Sequence, residues 1–551
     1  MLSPEYIDHL PDRVVELYAD LEIRILEDMA RRISKTGALT ETAQWQMWRL
    51  EQIGAEREFI WYHLQRLTGK TQGEINELLV EAGEEALYYD DQIYRAAGLN
   101  PKALRDSEAL QKIIKAGSDK TMRLFENLTS TTADTASRQF ENALDAAYID
   151  ITSGAFSYQD AVRSAVKSLS KAGIDAIIYP SGHTDKMDVA VRRAVLTGVN
   201  QTAARMQIAR ADEMECDLVE TTAHMGARPE HMDWQGRIFS RSGKSRKYPD
   251  FIRSTGYGTG PGLCGWNCRH SFFPYFEGLS ERAYSRAKLR EYENKTVTYN
   301  GRTLPYYDAT QQQRYLERQI RRWKREYLAM DAAGLDTSEA SAKLAAWRAK
   351  QKDFLTQTGL GEDKFRSQVY GFGRSQAAKA RNSAERKYQT WIQQISAKDS
   401  APKTLAKYYE EKYNNSPAYQ LLRGYSRAVE KGAISPLVGF EQYQQTAKEI
   451  EKELIGVVLT NGEKVSSYAT HFIDRVIGQT ADPHKSGMRT GVPVSIVKEC
   501  LLNTKNISPP YQIEMPDGSI DIRINIIGEK CSVAFSTKEH KIIQTNPKKG
   551  I

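Results

Sequence analysis

His231-Met-Asp-Trp-Gln-Gly-Arg237 is followed, after a glycine-rich stretch, by Gly262-Leu-Cys-Gly-Trp-Asn-Cys-Arg-His270. Glycines at this density permit tight turns that other residues resist. On both sides of these motifs, apolar residues recur at steps of three and four, which indicates α-helix. The sequence therefore predicts a mainly α chain that is interrupted at its centre by a small Cys/His/Gly-rich knot, residues 217–280.

The helical pattern fills two long regions, residues 1–216 and 281–435. In the first, one helix with a single apolar stripe is predicted to run from Thr184, as its N-cap, to about Met214. In the second, Gln, Ala, Arg, Lys and Glu are abundant, which is typical of long helices with charged faces. We expect the first region to be an extended helical assembly and the second to continue it.

The last region, residues 436–551, has a different pattern. Short helical segments come first, among them about Ser466 to Gly478 and Pro493 to Asn503. Four strand candidates follow at Tyr511 to Met515, Ile520 to Ile527, Cys531 to Phe535 and Lys541 to Thr545. Breaks rich in Gly, Pro and Asp separate the strands, as in an antiparallel meander. Helices followed by a meander predict a small α+β domain.

Composition limits the class of protein. The 551 residues are too many for one ordinary domain, and the longest apolar runs are too short to span a bilayer. Five cysteines do not make a disulfide framework in a chain of this length, which favours a reducing compartment. The net charge of +7 is small beside 77 basic and 70 acidic residues, so it does not identify a nucleic-acid-binding protein.

The central knot carries residues that suit a metal. Thiolates and imidazoles are the ligands that tetrahedral zinc prefers, and Cys264, Cys268, His270 and His231, or His224 in its place, supply them. The alternative is a structural knot in which glycines form the turns and four aromatic residues form a core, namely Trp266, Phe272, Phe273 and Tyr275. A nucleophilic Cys–His pair is a third interpretation, but no orienting Asn or Asp motif accompanies it.

The same motifs, set between helical arms, resemble the signature of the phage minor capsid protein 2 family, which is related to Mu F-like head morphogenesis proteins. The resemblance covers roughly residues 1–430, with its specific part at about 220–280. It implies a portal-associated head component of a tailed bacteriophage that is not an enzyme in that role. It also implies portal and capsid proteins as partners, with scaffold protein and phage DNA as further candidates. The protein would be found in the virion, and in the bacterial cytoplasm during assembly.

The C-terminal domain contains residues that suit phosphodiester chemistry. His471 and Arg475 stand four apart, so a helix would place both on one face. An imidazole titrates near neutrality and can move a proton, while guanidinium groups can bind phosphate oxygens. Arg489 follows in a loop, and Thr545 lies in the last strand candidate.

That order of residues resembles the phage members of the barnase, EndoU, colicin and RelE superfamily of small ribonucleases, over about residues 440–551. The resemblance implies a toxin-type ribonuclease that needs no metal, with His471, Arg475, Arg489 and Thr545 as catalytic residues. Ser536 and Lys541 would contact the substrate, host RNA. His484 or His540 would supply a second proton-transfer group, although no residue matches that position clearly.

Two alternatives remain open. The C-terminal domain would instead be an inactive module that binds nucleic acid, portal or scaffold through its basic side chains. The position of four side chains discriminates this binding module from the ribonuclease. The ribonuclease requires that His471, Arg475, Arg489 and Thr545 converge in one cleft. The other alternative, that the whole chain is a toxin delivered by a different system, is disfavoured by the central signature.

Overall fold

The computed structural model describes residues 1–36, 42–153, 156–178, 184–394, 397–413, 416–435, 438–479, 489–515 and 519–548. It divides the chain into two compact units, an N-terminal unit (Met1–Ala384) and a C-terminal unit (Glu385–Ile551). Helices dominate the first unit, and a sheet with covering helices forms the second, so the predicted mainly α fold with a small C-terminal α+β part is confirmed.

The helices that begin in the N-terminal unit are α1 (Pro4–His9), α2 (Asp12–Ile33), α3 (Thr42–Ala96), α4 (Glu108–Thr152), α5 (Tyr158–Ala172), α6 (Met187–Glu213), α7 (Pro229–Met232), α8 (Phe251–Thr255), α9 (Arg286–Asn294), α10 (Tyr306–Ala332), α11 (Ser338–Thr358), α12 (Lys364–Ser367) and α13 (Arg374–Gln394), with a 3-10 turn at Leu104–Asp106. Its strands are β1 (Asp175–Ile178), β2 (Thr184–Lys186), β3 (Leu218–Thr221), β4 (Ile238–Ser240), β5 (Phe272–Pro274), β6 (Thr296–Tyr299) and β7 (Arg302–Pro305).

Helices α3, α4 and α6 form the centre of the N-terminal core. Helix α4 begins after Ser107, whose hydroxyl accepts a hydrogen bond from the backbone N–H of Leu110. The predicted apolar stripe of α6 is buried from Met187 to Met206. The helix itself begins at Met187, two residues later than a helix capped by Thr184 would begin, because residues 184–186 pair with β1 as strand β2.

Helices α4 and α6 cross at a reciprocal pair of small residues. A methyl group added at Gly117 would lie 2.3 Å from the hydroxyl of Thr202, and one added at Gly198 would lie 2.4 Å from the hydroxyl of Thr121. Each threonine hydroxyl donates to the carbonyl oxygen of the glycine four residues earlier, at 2.8 Å. Glycine at both positions is what permits this backbone approach.

Side chains of helix α6 also hold the central knot in place through hydrogen bonds. The side-chain amide of Asn200 donates to the carbonyl oxygens of Cys268 (3.1 Å) and His270 (3.3 Å). Further along the helix, Gln207 donates to the carbonyl of Phe272 and accepts from the hydroxyl of Ser271. These buried contacts hold the segment that precedes β5 against the helical core, where β5 pairs with β3 and β3 with β4.

Asp8 of α1 joins distant parts of the N-terminal unit. Its carboxylate forms ion pairs with Arg192 of α6 (2.7 Å), Arg269 of the central knot (3.3 Å) and Arg366 of α12. Burial opposes ionisation of Asp8, but the surrounding guanidinium groups outweigh it and lower the pKa to about 2. The carboxylate therefore stays charged and connects four segments that lie far apart in sequence.

The C-terminal unit contains the end of α13, then α14 (Leu405–Tyr413), α15 (Pro417–Glu430), α16 (Phe440–Leu454), α17 (His471–Ile477) and α18 (Val494–Leu502), with a 3-10 turn at Lys398–Ser400. Its strands are β8 (Ser467–Tyr468), β9 (Gly478–Gln479), β10 (Arg489–Thr490), β11 (Asn506–Ile507), β12 (Tyr511–Glu514), β13 (Ile520–Ile527), β14 (Cys531–Ser536) and β15 (Lys541–Pro547).

The predicted meander is confirmed. Strands β12, β13, β14 and β15 pair antiparallel in chain order, β11 also pairs with β13, and β8 adds a parallel edge beside β15. Helices α16, α17 and α18 cover one face, where Ile526, Val533 and Phe535 are buried in a common core. Because strand residues alternate between faces, the neighbouring side chains lie on the opposite face.

Candidate functional site

Three side chains of the central knot meet at one point. His231 lies on α7, while Cys268 and His270 lie on the segment that leads into β5. The Nδ1 atoms of His231 and His270 are 3.4 Å apart, and the sulfur of Cys268 lies 3.9 Å and 3.6 Å from them respectively. All three residues are at most 3% exposed. Within the described residues, they form a group that could hold a metal ion.

The outer nitrogen of each histidine ring is engaged by an acceptor. His231 Nε2 lies 2.8 Å from the carbonyl oxygen of Pro261, which can only accept, so Nε2 carries the proton. His270 Nε2 lies 3.1 Å from Oε1 of Gln235, which also accepts from the backbone N–H of His224. In the neutral rings, the two inward Nδ1 atoms therefore carry lone pairs.

Burial sets the ionisation of this cluster. Burial lowers the pKa of His231, and it lowers that of His270 well below its ordinary value, with the neighbouring histidines and the guanidinium groups of Arg269 and Arg228 acting in the same direction. Burial also raises the pKa of the Cys268 thiol. Without a cation, the cluster is thus two neutral imidazoles and a thiol.

The other two candidate ligands lie outside this group. Cys264 is buried, but its sulfur lies 3.5 Å from the carbonyl oxygen of His270, to which the thiol donates. The Nδ1 atom of His224 lies 2.9 Å from the carbonyl of Met225, and its ring packs against that of His270 at 4.5 Å between centroids. The structure thus brings together three of the four predicted metal ligands.

Glycines shape the loop that carries this site. A methyl group added at Gly262 would lie 2.0 Å from the carbonyl oxygen of Gly256, and one at Gly265 would lie 2.1 Å from that of Gly260. The prediction of glycine-dependent turns is therefore confirmed. The interpretation that places Trp266 in the core is wrong, because its side chain is 58% exposed, whereas Phe272 and Phe273 are buried as expected.

The predicted catalytic residues of the C-terminal unit lie on different surfaces. Thr545 stands opposite Val533 on the helix-covered face of the sheet, where it is fully buried and its hydroxyl donates to the carbonyl of Ser532 at 3.1 Å. Ser536 and Lys541 pair with each other on the opposite face. Thr545 is therefore separated from the two predicted substrate contacts by the sheet itself.

The predicted substrate contacts are engaged by acidic groups. The Ser536 hydroxyl donates to Asp521 at 2.6 Å, and the Lys541 ammonium forms an ion pair with Glu539 at 3.1 Å. The backbone of Arg489 begins strand β10, and its side chain lies outside the described part of the chain, as does His484. His540 Nδ1 lies 2.7 Å from a carboxylate oxygen of Glu463.

His471 lines a cleft of about 420 Å³, to which residues of α15 also contribute. Its lining also includes Arg423 and Arg427 of α15, Lys431 at the C-cap of that helix, and Tyr443 and Asp474. Burial and the nearby cations Arg475, Arg523 and Lys541 lower the pKa of His471. Burial raises the pKa of Asp474 to about 6, although Tyr443 donates a hydrogen bond to its carboxylate at 3.1 Å. Sequence reasoning missed the α15 cations, whose regular four-residue spacing was the available signal.

Comparison with known proteins identifies a family that matches the N-terminal unit. A family model described as "Phage minor capsid protein 2" matches residues 2–356, which include the whole His231, Cys268 and His270 cluster. The chain belongs to the phage minor capsid protein 2 family. The match to this minor capsid family ends before the C-terminal unit begins.

Two curated relatives of this minor capsid family member come from Lactococcus phages. A protein named "Structural protein" from phage LL-H is 23% identical over 339 residues, which are 58% of this chain and 88% of the relative. Another "Structural protein", from phage mv4, is 35% identical over 119 residues, which are 20% of this chain and 87% of the relative. No solved structure matches. Among the described helices, none combines the length and the apolar character needed to cross a bilayer.

Proposed function

We propose that this minor capsid protein is a portal-associated structural component of a tailed-phage head. The observation that carries the proposal is the family match over residues 2–356, since it covers nearly all of the N-terminal unit together with its central knot. The names of the two Lactococcus phage relatives agree with a place in the virion. Portal and capsid proteins are the proposed partners, and scaffold protein is a further one.

Purified particles test this proposal. We expect the chain to co-sediment with infectious virions, and cross-linking mass spectrometry to join its N-terminal unit to portal protein more often than to the major capsid protein. A stop codon early in the gene should yield particles that lack the protein and fail to form plaques. Recovery of the protein only from the unsedimented lysate would contradict a virion role.

For the C-terminal unit we propose binding of single-stranded nucleic acid through the His471 cleft. Arg423 and Arg427 on α15 and Lys431, the C-cap residue that follows it, are exposed at four-residue intervals, so they form one stripe of positive charge. None of the three forms an ion pair with another residue in the described ranges. Cations that are not neutralised by neighbouring acids are suited to phosphate oxygens.

Cleavage of bound RNA by the same cleft is a second candidate function. His471 and Asp474 are three residues apart on α17 and both line the cleft, so an imidazole and a carboxyl whose pKa burial raises to about 6 would face one substrate. One could accept a proton from a ribose 2′-hydroxyl while the other donates one to the leaving oxygen. This candidate differs from the predicted site, because Thr545 and Ser536 take no part in it.

The double substitution Arg423→Gln/Arg427→Gln tests the binding proposal. Removing two phosphate contacts should weaken the affinity of the full chain for a labelled single-stranded RNA by about tenfold at moderate salt, and should make the affinity less salt-dependent. Fluorescence anisotropy over a salt series measures both effects. The matched control is Lys448→Gln/Lys452→Gln, two exposed cations with the same spacing on α16, which stand beside Glu449 and Glu453.

Equal loss of affinity in the two double variants would contradict a specific cleft. The same RNA, followed by gel electrophoresis, tests cleavage. If the cleft is catalytic, His471→Ala and Asp474→Asn should each abolish cleavage while retaining most of the affinity. RNA that stays intact with the unmodified chain, at every pH where histidine titrates, would leave binding as the function of this unit.

A further inference from the structure

The central cluster presents three electron-pair donors to one buried point. His231 and His270 direct their Nδ1 atoms at each other across 3.4 Å, and the Cys268 sulfur completes a triangle with them. Two nitrogen lone pairs at this distance repel each other unless a proton or a cation lies between them. Buried polar atoms rarely remain unsatisfied, so this arrangement calls for an occupant.

The spacing of the three atoms matches a tetrahedral zinc ion. Zinc bonds of about 2.0 to 2.1 Å to nitrogen and about 2.3 Å to sulfur place two nitrogens about 3.3 Å apart, and nitrogen and sulfur about 3.6 Å apart. The observed distances are 3.4 Å between the nitrogens, and 3.6 Å and 3.9 Å from sulfur to nitrogen. The donors thus lie at nearly the required positions.

The surroundings orient both rings as metal-binding histidines are oriented. In protein metal sites, the ring nitrogen that does not bind the metal usually donates to a carbonyl or carboxylate oxygen. Here His231 Nε2 donates to the carbonyl oxygen of Pro261, and His270 Nε2 donates to Gln235, whose Oε1 is held by the backbone N–H of His224. Neither ring can turn without losing this hydrogen bond.

We propose that His231 Nδ1, Cys268 Sγ and His270 Nδ1 bind a zinc ion. Two imidazoles and a thiolate are a donor set that zinc accepts, and zinc binding displaces the thiol proton. Cys264 is not a ligand in this proposal, because its thiol donates to the carbonyl of His270 and lies outside the group of converging atoms. The proposal concerns the N-terminal unit and does not depend on any activity of the C-terminal unit.

The ion would stabilise the chain at a defined place. It would join helix α7, through His231, to the segment before β5, through Cys268 and His270. Pro261 and Gln235 would be fixed through the histidine rings. A chelator should therefore increase hydrogen exchange first in residues 229–235 and 260–270, before it affects the long helices.

Metal analysis of the full chain tests the proposal, with two cysteine variants as a matched pair. Cys268→Ser and Cys264→Ser each replace a buried thiol of the same loop with a hydroxyl. The unmodified chain and Cys264→Ser should each contain about one zinc per chain after dialysis against metal-free buffer, and Cys268→Ser should contain far less. Cobalt offered in place of zinc should give a thiolate charge-transfer band in the first two proteins and not in the third.

Several results would overturn the proposal. The unmodified chain would contain no more zinc than Cys268→Ser, or Cys264→Ser would lose its zinc, or the unmodified chain would contain copper or iron in place of zinc. A proton shared by the two Nδ1 atoms would give the first of these results. His231→Gln should also lose zinc, but its circular dichroism spectrum, recorded without cobalt, should match that of the unmodified chain. This variant therefore separates loss of the ion from loss of folding.

Discussion

Replacement of Arg210 by methionine should lower the free energy of unfolding of the N-terminal unit by about 3 to 5 kcal/mol. The Arg210 side chain is fully buried, and it forms ion pairs with Asp91 (3.2 Å) and Glu213 (3.0 Å) and donates to the carbonyl of Lys102. Methionine fills a similar volume but leaves these acceptors without their cation. A buried ion pair that loses one partner costs much more than the intact pair contributed.

Urea unfolding followed by tryptophan fluorescence measures this effect, because seven of the eight tryptophans lie in the N-terminal unit. Arg24→Met is the matched control. Arg24 is about half exposed and pairs with Asp20 one turn earlier on α2, at 2.8 Å. Its loss should cost less than about 1 kcal/mol, since exposed pairs contribute little. Equal effects of the two substitutions would mean that burial of Arg210 does not determine its contribution.

Gly117→Ala should lower the free energy of unfolding by about 2 to 3 kcal/mol. The added methyl group would lie 2.3 Å from the hydroxyl and 2.6 Å from the methyl of Thr202, so α4 and α6 would have to separate or Thr202 would have to leave its position. The same substitution at Gly73, on α3, meets nothing within 4 Å. There alanine should raise stability by up to about 1 kcal/mol, because it favours helix more than glycine does.

The decisive result is that Gly117→Ala and Gly73→Ala change the free energy of unfolding in opposite directions. Thr202→Ala removes the atoms that the new methyl group would meet most closely, so the double variant Gly117→Ala/Thr202→Ala should recover part of the loss. Chemical denaturation of the four proteins measures the coupling. A stabilising effect of Gly117→Ala by itself would show that the helices can separate at no cost.

The sequence predicted those parts of the fold that local patterns determine. The four strands from 511 to 547 were recognised because turns separate them. Hairpin β6–β7 is absent from the prediction although Asn300-Gly301, both with positive φ, form its turn, because the hairpin is short and lies between two segments rich in helix formers, α9 and α10. Strand β8 was predicted as helix, since its parallel pairing with β15 depends on residues more than 70 positions away.

The candidate site, too, could be predicted only as far as local patterns determine it. Residue types alone selected the correct neighbourhood for His231, Cys268 and His270. The positive φ values of Cys264 (57°) and Asn267 (52°) direct the course of the loop, and the sequence spacing could not reveal which of the two thiols would face the histidines. In the C-terminal unit, local order placed Thr545 in the right strand but could not determine which face of the sheet it occupies.

The ion pairs of Asp8 also bear on the synthesis of the chain. Arg366 is translated 358 residues after Asp8. At about 5 to 20 residues per second, the ribosome needs roughly 20 to 70 s to supply this last partner. During that interval helix α1 has no complete docking place, so the nascent chain is expected to remain open to chaperones and proteases until most of the N-terminal unit has emerged.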